Sequence, residues 1–106
     1  MTIDTRPPGG TGASAPTTIH LSGEINLFTS AALRRQLLNE LDHSSSLLIL
    51  DLSQVTFCDA GGLAVLIGIQ RRARAQGITL ALTAPRPYMS RLLRLTGLDR
   101  SLRVAA

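Results

Sequence analysis

The tightest constraint on this chain is the run Leu47-Leu48-Ile49-Leu50-Asp51-Leu52, four consecutive aliphatic residues and a fifth after a single aspartate. It is too short for an independent helix and lacks polar alternation, which predicts a central strand buried on both faces. Ser53 and Gln54 then step to Val55 and Phe57, and a spacing of two places both on one side of an extended segment. Asp59 follows, and directly after it Ala60-Gly61-Gly62-Leu63 opens an apolar segment of helical length. Asp59 is therefore the expected N-cap, accepting hydrogen bonds from the first free amides of a helix whose small residues leave the backbone bare. Bare amides at the positive end of a helix dipole suit an anion or a partner's backbone, while a plain cap with glycines for packing accounts for the same spacing.

The other segments order themselves around that strand-to-helix turn. Thr2 to Thr5 has the character of a short edge strand, and Arg6 to Pro16, rich in Pro, Gly, Ser and Thr, reads as mobile, so residues 1–16 form a flexible segment and 17–104 the domain. From Thr17 to Ser22, Ile19 and Leu21 alternate with Thr18, His20 and Ser22, a strand with one buried face and His20 on its polar side. Gly23 breaks the alternation, and Glu24 to Phe28 resume it. Thr29 or Ser30 can cap a helix to about Asp42, with Leu33, Leu37, Leu38 and Leu41 in one stripe.

The helix after Asp59 is expected to reach about Gln76 and stop at Gly77. Its first half is apolar nearly all round, so it is either roofed by the domain or presents Val65 and Ile69 to a partner. A glycine inside a helix costs about 1 kcal/mol against alanine, which makes Gly68 a sign of a close neighbour. Ile78 to Ala84 is a further strand, Pro87 to Leu95 a third helix carrying Met89, Leu92, Leu93 and Leu95, and Leu102 and Val104 a last edge strand. This order implies an α/β domain with a small mixed β-sheet of four to five strands and helices mainly on one side.

At 106 residues there is room for one domain. No apolar run approaches bilayer length and the N-terminus lacks the apolar core of a signal peptide, so a cytoplasmic protein without membrane insertion is expected. The lone Cys58 excludes an internal disulfide and cannot build a metal site alone. The net charge of +4 comes from eleven arginines and no lysine, scattered without interleaved aromatics, as solvated helix faces rather than a direct nucleic-acid footprint. No carboxylate stands with a His, Lys or Cys at a catalytic spacing, and Gly61-Gly62 lacks the Lys of a phosphate loop, so neither enzyme activity nor a cofactor is expected.

The segment Asp51-Leu52-Ser53-Gln54-Val55-Thr56-Phe57-Cys58-Asp59-Ala60-Gly61-Gly62-Leu63 resembles the signature of the STAS domain family, as found in anti-sigma factor antagonists, whose usual form is D-L-S-x-V-x-F-x-D-S-x-G-L. Leu21 to Asn26, Gly77 to Leu80 with Pro85, and Leu95 to Leu98 resemble the family in the same order, from roughly Thr17 to Val104. The resemblance implies a STAS fold and a protein-binding switch, in which the serine after the motif's Asp is phosphorylated by a kinase-like anti-sigma factor. It also favours a partner at Val65 and Ile69. Here Ala60 stands at the serine position, and Asn26 stands where the family normally has Asp. The reading that follows is an antagonist held in its binding-competent state, a monomer or weak dimer whose partner is an anti-sigma factor of the serine-kinase ATPase type. Switching at Ser53 or Thr56, or service as the STAS subunit of an ATP-driven lipid transporter, are the alternatives. The contact surface implied comprises Gly23, Glu24, Asn26 and Thr29 with Asp59, Ala60, Gly61, Gly62 and Leu63.

Overall fold

The computed structural model describes residues 1–6, 17–43 and 46–105; most of the segment expected to be mobile, and Ser44 and Ser45 ahead of the central strand, lie outside the described residues. The elements run β1 (Thr2–Arg6), β2 (Thr17–Ile25), α1 (Ser30–His43), β3 (Leu47–Cys58), α2 (Ala60–Ala75), β4 (Thr79–Thr83), α3 (Pro87–Leu95), α4 (Leu98–Ser101) and β5 (Arg103–Ala105). The sheet order is β1-β2-β3-β4-β5, with β1 antiparallel to β2 and each later neighbour parallel. Parallel neighbours need crossovers, and α1, α2 and the α3–α4 pair supply them.

One face of this sheet carries the core. Ile19 and Leu21 of β2, Leu48, Leu50 and Leu52 of β3, and Leu80 and Leu82 of β4 are buried in a single cluster with Leu33, Leu37 and Leu41 of α1, Leu66 and Ile69 of α2, and Met89 and Leu93 of α3. The other face is open. Thr18, His20, Leu47, Ile49 and Asp51 are only partly buried there, so β3 is not covered on both faces as its unbroken aliphatic run suggests. With the crossovers gathered on one side, the aliphatic residues at odd positions of β3 are shielded only by their neighbours in the sheet.

β3 is one strand of 12 residues, and its buried positions are Leu48, Leu50, Leu52, Val55 and Cys58. The change of spacing from two to three has a visible cause. Against β2, the register advances from His20↔Asp51 to Ser22↔Gln54 and from Gly23↔Val55 to Glu24↔Phe57, so β3 carries an extra residue at each step. Each bulge rotates the following side chains to the other face. Val55 therefore turns inward while Phe57 is left exposed, contrary to a strict period of two. At the first bulge, Asp51 Oδ1 accepts from the Ser53 amide at 2.8 Å, and Arg86 Nε donates to the Ser53 carbonyl at 2.8 Å, which satisfies the backbone groups the ladder releases.

Several sequence expectations change in the helices. Val65 and Ile69 are buried against the sheet and α1, so the apolar first half of α2 is roofed by the domain and does not offer them to a partner. Beyond its chain neighbours and its own helix backbone, no heavy atom lies within 4 Å of a Cβ built on Gly68, which is exposed; no neighbouring element among the described residues requires that glycine. Neither Thr29 nor Ser30 caps α1 with its hydroxyl, since Thr29 Oγ1 donates to the Glu24 carbonyl at 3.0 Å and Ser30 Oγ to the Leu27 carbonyl at 3.3 Å. Leu102 belongs to the core and precedes β5, and the short α4 between Gly97 and Leu102 has no apolar periodicity long enough to announce it.

Two predictions follow from this arrangement. Gly68→Ala fills open space in a helix interior and is expected to stabilise the protein by about 0.5–1 kcal/mol in urea denaturation; destabilisation would place an unseen neighbour there. The second concerns Asp51, whose Oδ2 lies 3.2 Å from His20 Nδ1 on the open face. Burial works to raise the Asp51 carboxyl, but hydrogen bonds from Ser53 and the His20 charge outweigh it, leaving the group below its ordinary value. A carboxylate held low in the folded state supports the fold above its unfolded value and loses that support as pH falls through the folded one. Stability is expected to decline as pH drops below about 4, and Asp51→Asn is expected to flatten that slope; an unchanged slope would assign it to other groups.

Candidate functional site

At the end of β3 the chain must leave the sheet and start α2 within one residue, and Asp59 performs the turn with extended φ −99° and ψ −175°. Its amide donates to the Ile25 carbonyl at 3.1 Å, continuing the ladder to β2. Its carboxylate is divided between two donors: Oδ1 accepts from the Gly62 amide at 2.9 Å, the N-cap bond, and Oδ2 accepts from the Leu27 amide at 3.2 Å. Asp59 thus joins the start of α2 to the loop between β2 and α1, and both oxygens are engaged within the protein. Among the described residues, the amides of Ala60 and Gly61 have no acceptor.

The loop held by Asp59 is closed by its own side chains. Asn26 Oδ1 accepts from the amides of Phe28 at 2.8 Å and Thr29 at 3.1 Å, while Asn26 Nδ2 donates to Glu24 Oε2 at 3.3 Å. An aspartate could accept the first two bonds but not make the third, and it would place a second carboxylate beside Glu24. Thr29 Oγ1 also accepts from the Asn26 amide at 2.9 Å. The outcome is a compact turn that projects Leu27 and Phe28 outward, 73% and 90% exposed.

Close packing lies beneath this surface. A Cβ on Gly62 would meet Ile25 Cγ2 at 2.6 Å and Cys58 Sγ at 2.7 Å, so this position admits only glycine without rearrangement. Gly61 is less confined, with only Asp59 Oδ1 at 3.2 Å. Gly23 holds φ +93° at the second bulge, a left-handed value that favours glycine. Cys58 is buried, and burial first and the Asp59 charge second push its thiol up to about 11. It stays protonated at neutral pH, the less nucleophilic form of the thiol.

The nine sequence-predicted residues are therefore brought together but do not share one role. Glu24 and Ala60 are exposed; Gly23, Asn26, Thr29, Asp59 and Gly61 are partly buried; Gly62 and Leu63 are buried. Gly62 and Leu63 point into the domain, which removes them from any contact surface, because the helical turn places them on the face that packs on the sheet. Sequence reasoning missed the apolar rim. Leu27, Phe28, Phe57 and Tyr88 are all exposed, the rings of Phe57 and Tyr88 stack with centroids 6.1 Å apart, and Tyr88 Oη donates to the Cys58 carbonyl at 3.1 Å. Leu27 and Phe28 had a signal in the sequence, two large apolar residues directly before a helix cap. Tyr88 had none, since only the fold carries α3 back to the end of β3.

A family model described as "Mlab, STAS domain" matches residues 11–104, and the chain belongs to the STAS domain family. Among solved structures, an anti-sigma factor antagonist from Mycobacterium paratuberculosis is 27% identical with a TM-score of 0.80, covering 98% of this chain and 86% of that one. A putative anti-sigma factor antagonist from Thermotoga maritima is 25% identical with a TM-score of 0.80, covering 86% of this chain and 79% of that one. The STAS domain of a SulP transporter from Vibrio cholerae shares the fold at 20% identity and a TM-score of 0.66, covering 82% of this chain and 70% of that one.

The packing around α2 makes its two opening glycines unequal. Gly62→Ala is expected to cost about 1–3 kcal/mol by forcing Ile25 and Cys58 apart, and Gly61→Ala less than about 1 kcal/mol. Urea denaturation of the two variants checks this, and equal costs would contradict the geometry.

Proposed function

We propose that this domain is an anti-sigma factor antagonist: it binds an anti-sigma factor of the serine-kinase ATPase type through the start of α2 and so frees a sigma factor. The observation that carries the reading is the exposed Ala60 beside the apolar rim of Leu27, Phe28, Phe57 and Tyr88, in a fold shared with proteins described as anti-sigma factor antagonists. Exposed aromatic and aliphatic residues on a rigid turn are the composition of a protein-binding patch, since they bury area with little ordering cost.

In this reading Ala60 has no hydroxyl to modify, so the antagonist stays in its binding-competent state. A negative group at that position would confront a desolvated interface, and Ala60 adds no charge there. Asp59, Asn26 and Thr29, whose polar atoms are occupied internally, shape the surface, while Glu24, Ala60 and the rim meet the partner. The domain acts in the cytoplasm as a monomer or weak dimer, needs no cofactor and catalyses nothing. Among the described residues, no helix is long and apolar enough to cross a membrane and no group of three His, Cys, Asp or Glu side chains could hold a metal ion.

A second reading, the STAS subunit of an ATP-driven lipid transporter, has as its support the STAS domain of a transporter among the structural relatives. The two separate by affinity capture from the native cell with wild type and Ala60→Glu as bait. An antagonist is expected to retain a soluble kinase-like ATPase, with Ala60→Glu binding about tenfold or more weakly at unchanged thermal stability, since one unpaired interfacial charge costs at least about 1.4 kcal/mol. Capture of a membrane ATPase complex would overturn the antagonist reading, and equal affinity of both baits would remove Ala60 from the interface.

A further inference from the structure

The charge of this chain is unevenly divided. Residues 1–59 hold three arginines and six carboxylates, whereas residues 60–106 hold eight arginines and the single carboxylate of Asp99. The sequence order makes these arginines look scattered, yet all eight are exposed. The elements that carry them are neighbours, because α4 packs on α3 and β5, and Gln70 Nε2 of α2 donates to the Ser101 carbonyl at 3.0 Å. The flank formed by the end of α2 with α4 and β5 carries Arg74, Arg100 and Arg103, while Arg86 lies apart and donates to the Ser53 carbonyl at the β3 bulge.

Within that flank lies a cleft of about 590 Å³ between the C-terminal half of α2, the start of β4 and the α4–β5 segment. Arg74, Arg100 and Arg103 line it from three different elements, with Asp99 as the one acidic group. None of the three has an ion pair among the described residues. The Gln70–Ser101 hydrogen bond ties two of its walls together, and the nearly buried Ile78, Leu80 and Leu102 are aliphatic members of a mostly polar lining. Its volume falls in the range of small-molecule sites. Guanidinium groups present paired donors that match the oxygens of a phosphate, and three of them lining one cleft without an ion pair among the described residues leave that capacity unused.

We propose that this cleft binds a phosphate-bearing ligand through Arg74, Arg100 and Arg103. The site stands about 21 Å along α2 from Ala60, so it is independent of the partner surface proposed above. A soluble phosphate compound and the headgroup of an anionic lipid offer the same chemistry, and the test separates them.

The full chain is titrated with inorganic pyrophosphate and, separately, with phosphatidylcholine vesicles with and without phosphatidylglycerol, reading amide resonances of Thr79 and Ser101 and vesicle co-sedimentation. The triple variant Arg74→Gln, Arg100→Gln, Arg103→Gln is compared with Arg71→Gln, Arg72→Gln, Arg91→Gln, which removes the same charge from exposed positions outside the cleft. Arg100→Gln alone is included should the first triple lose its thermal transition. Saturable pyrophosphate shifts weakened on the order of tenfold in the cleft triple, and much less in the other, support a soluble ligand. Binding only to the phosphatidylglycerol vesicles, with the same dependence on the cleft, supports a headgroup. Equal weakening by both triples shows diffuse charge only, and no binding of either probe removes the site; both results overturn the proposal.

Discussion

The architecture of the α2 end depends on the shared carboxylate of Asp59. A parallel sheet brings the C-terminal ends of β2 and β3 side by side, and each must be followed by a turn whose freed amides need acceptors. One side chain answers both needs, with Oδ1 on the Gly62 amide and Oδ2 on the Leu27 amide. Because the same residue also donates its backbone amide to Ile25, the last rung of the ladder, the cap and the loop are a single connected unit. A cap of this kind typically contributes about 1 kcal/mol, but here it also sets the position of the β2–α1 turn.

Packing makes that unit asymmetric. Gly62 sits so close to Ile25 and Cys58 that the helix start is pressed onto the end of the sheet, and Leu63 and Leu66 follow it into the core. On the opposite side of the same turn Ala60 is exposed and Gly61 partly so, and their amides have no acceptor among the described residues. Leu27 and Phe28 are held beside it by the Asn26 and Thr29 hydrogen bonds, and Phe57 is turned out by the second bulge and propped by Tyr88. Each exposed apolar residue is thus restrained by a polar contact of its own backbone, its ring or its neighbour. A patch so preorganised gives up little conformational freedom when covered.

The two ends of α2 therefore differ in chemistry as well as position. At its start the side chains are small and the rim is apolar; at its end Arg72 and Arg74 sit by the negative pole of the helix dipole, where cations are favoured. Arg74 at that end also lines one cleft with Arg100 and Arg103, which arrive from far along the chain. Nothing in the local sequence around Arg74 distinguishes it from the adjacent solvated arginines.

Much of the fold was legible because its signals are local. The aliphatic run of β3, the alternation of Ile19 and Leu21, the leucine stripe of α1, the Asp59 cap and the glycine stop at Gly77 each follow from spacing and capping within a few residues. The Asp59-to-Leu63 signature likewise located the turn and the substitution at Ala60. What spacing could not decide was how elements meet. The bulges that invert Phe57, the open far face of β3, the burial of Val65, Ile69, Gly62 and Leu63, and the empty space at Gly68 all depend on which surface lies opposite a residue. The approach of Tyr88 to Cys58 and the gathering of three distant arginines have the same origin. Local sequence determines the period and the ends of each element, since those depend on backbone hydrogen bonds within a turn; only tertiary packing decides which faces are covered, since that depends on residues tens of positions away.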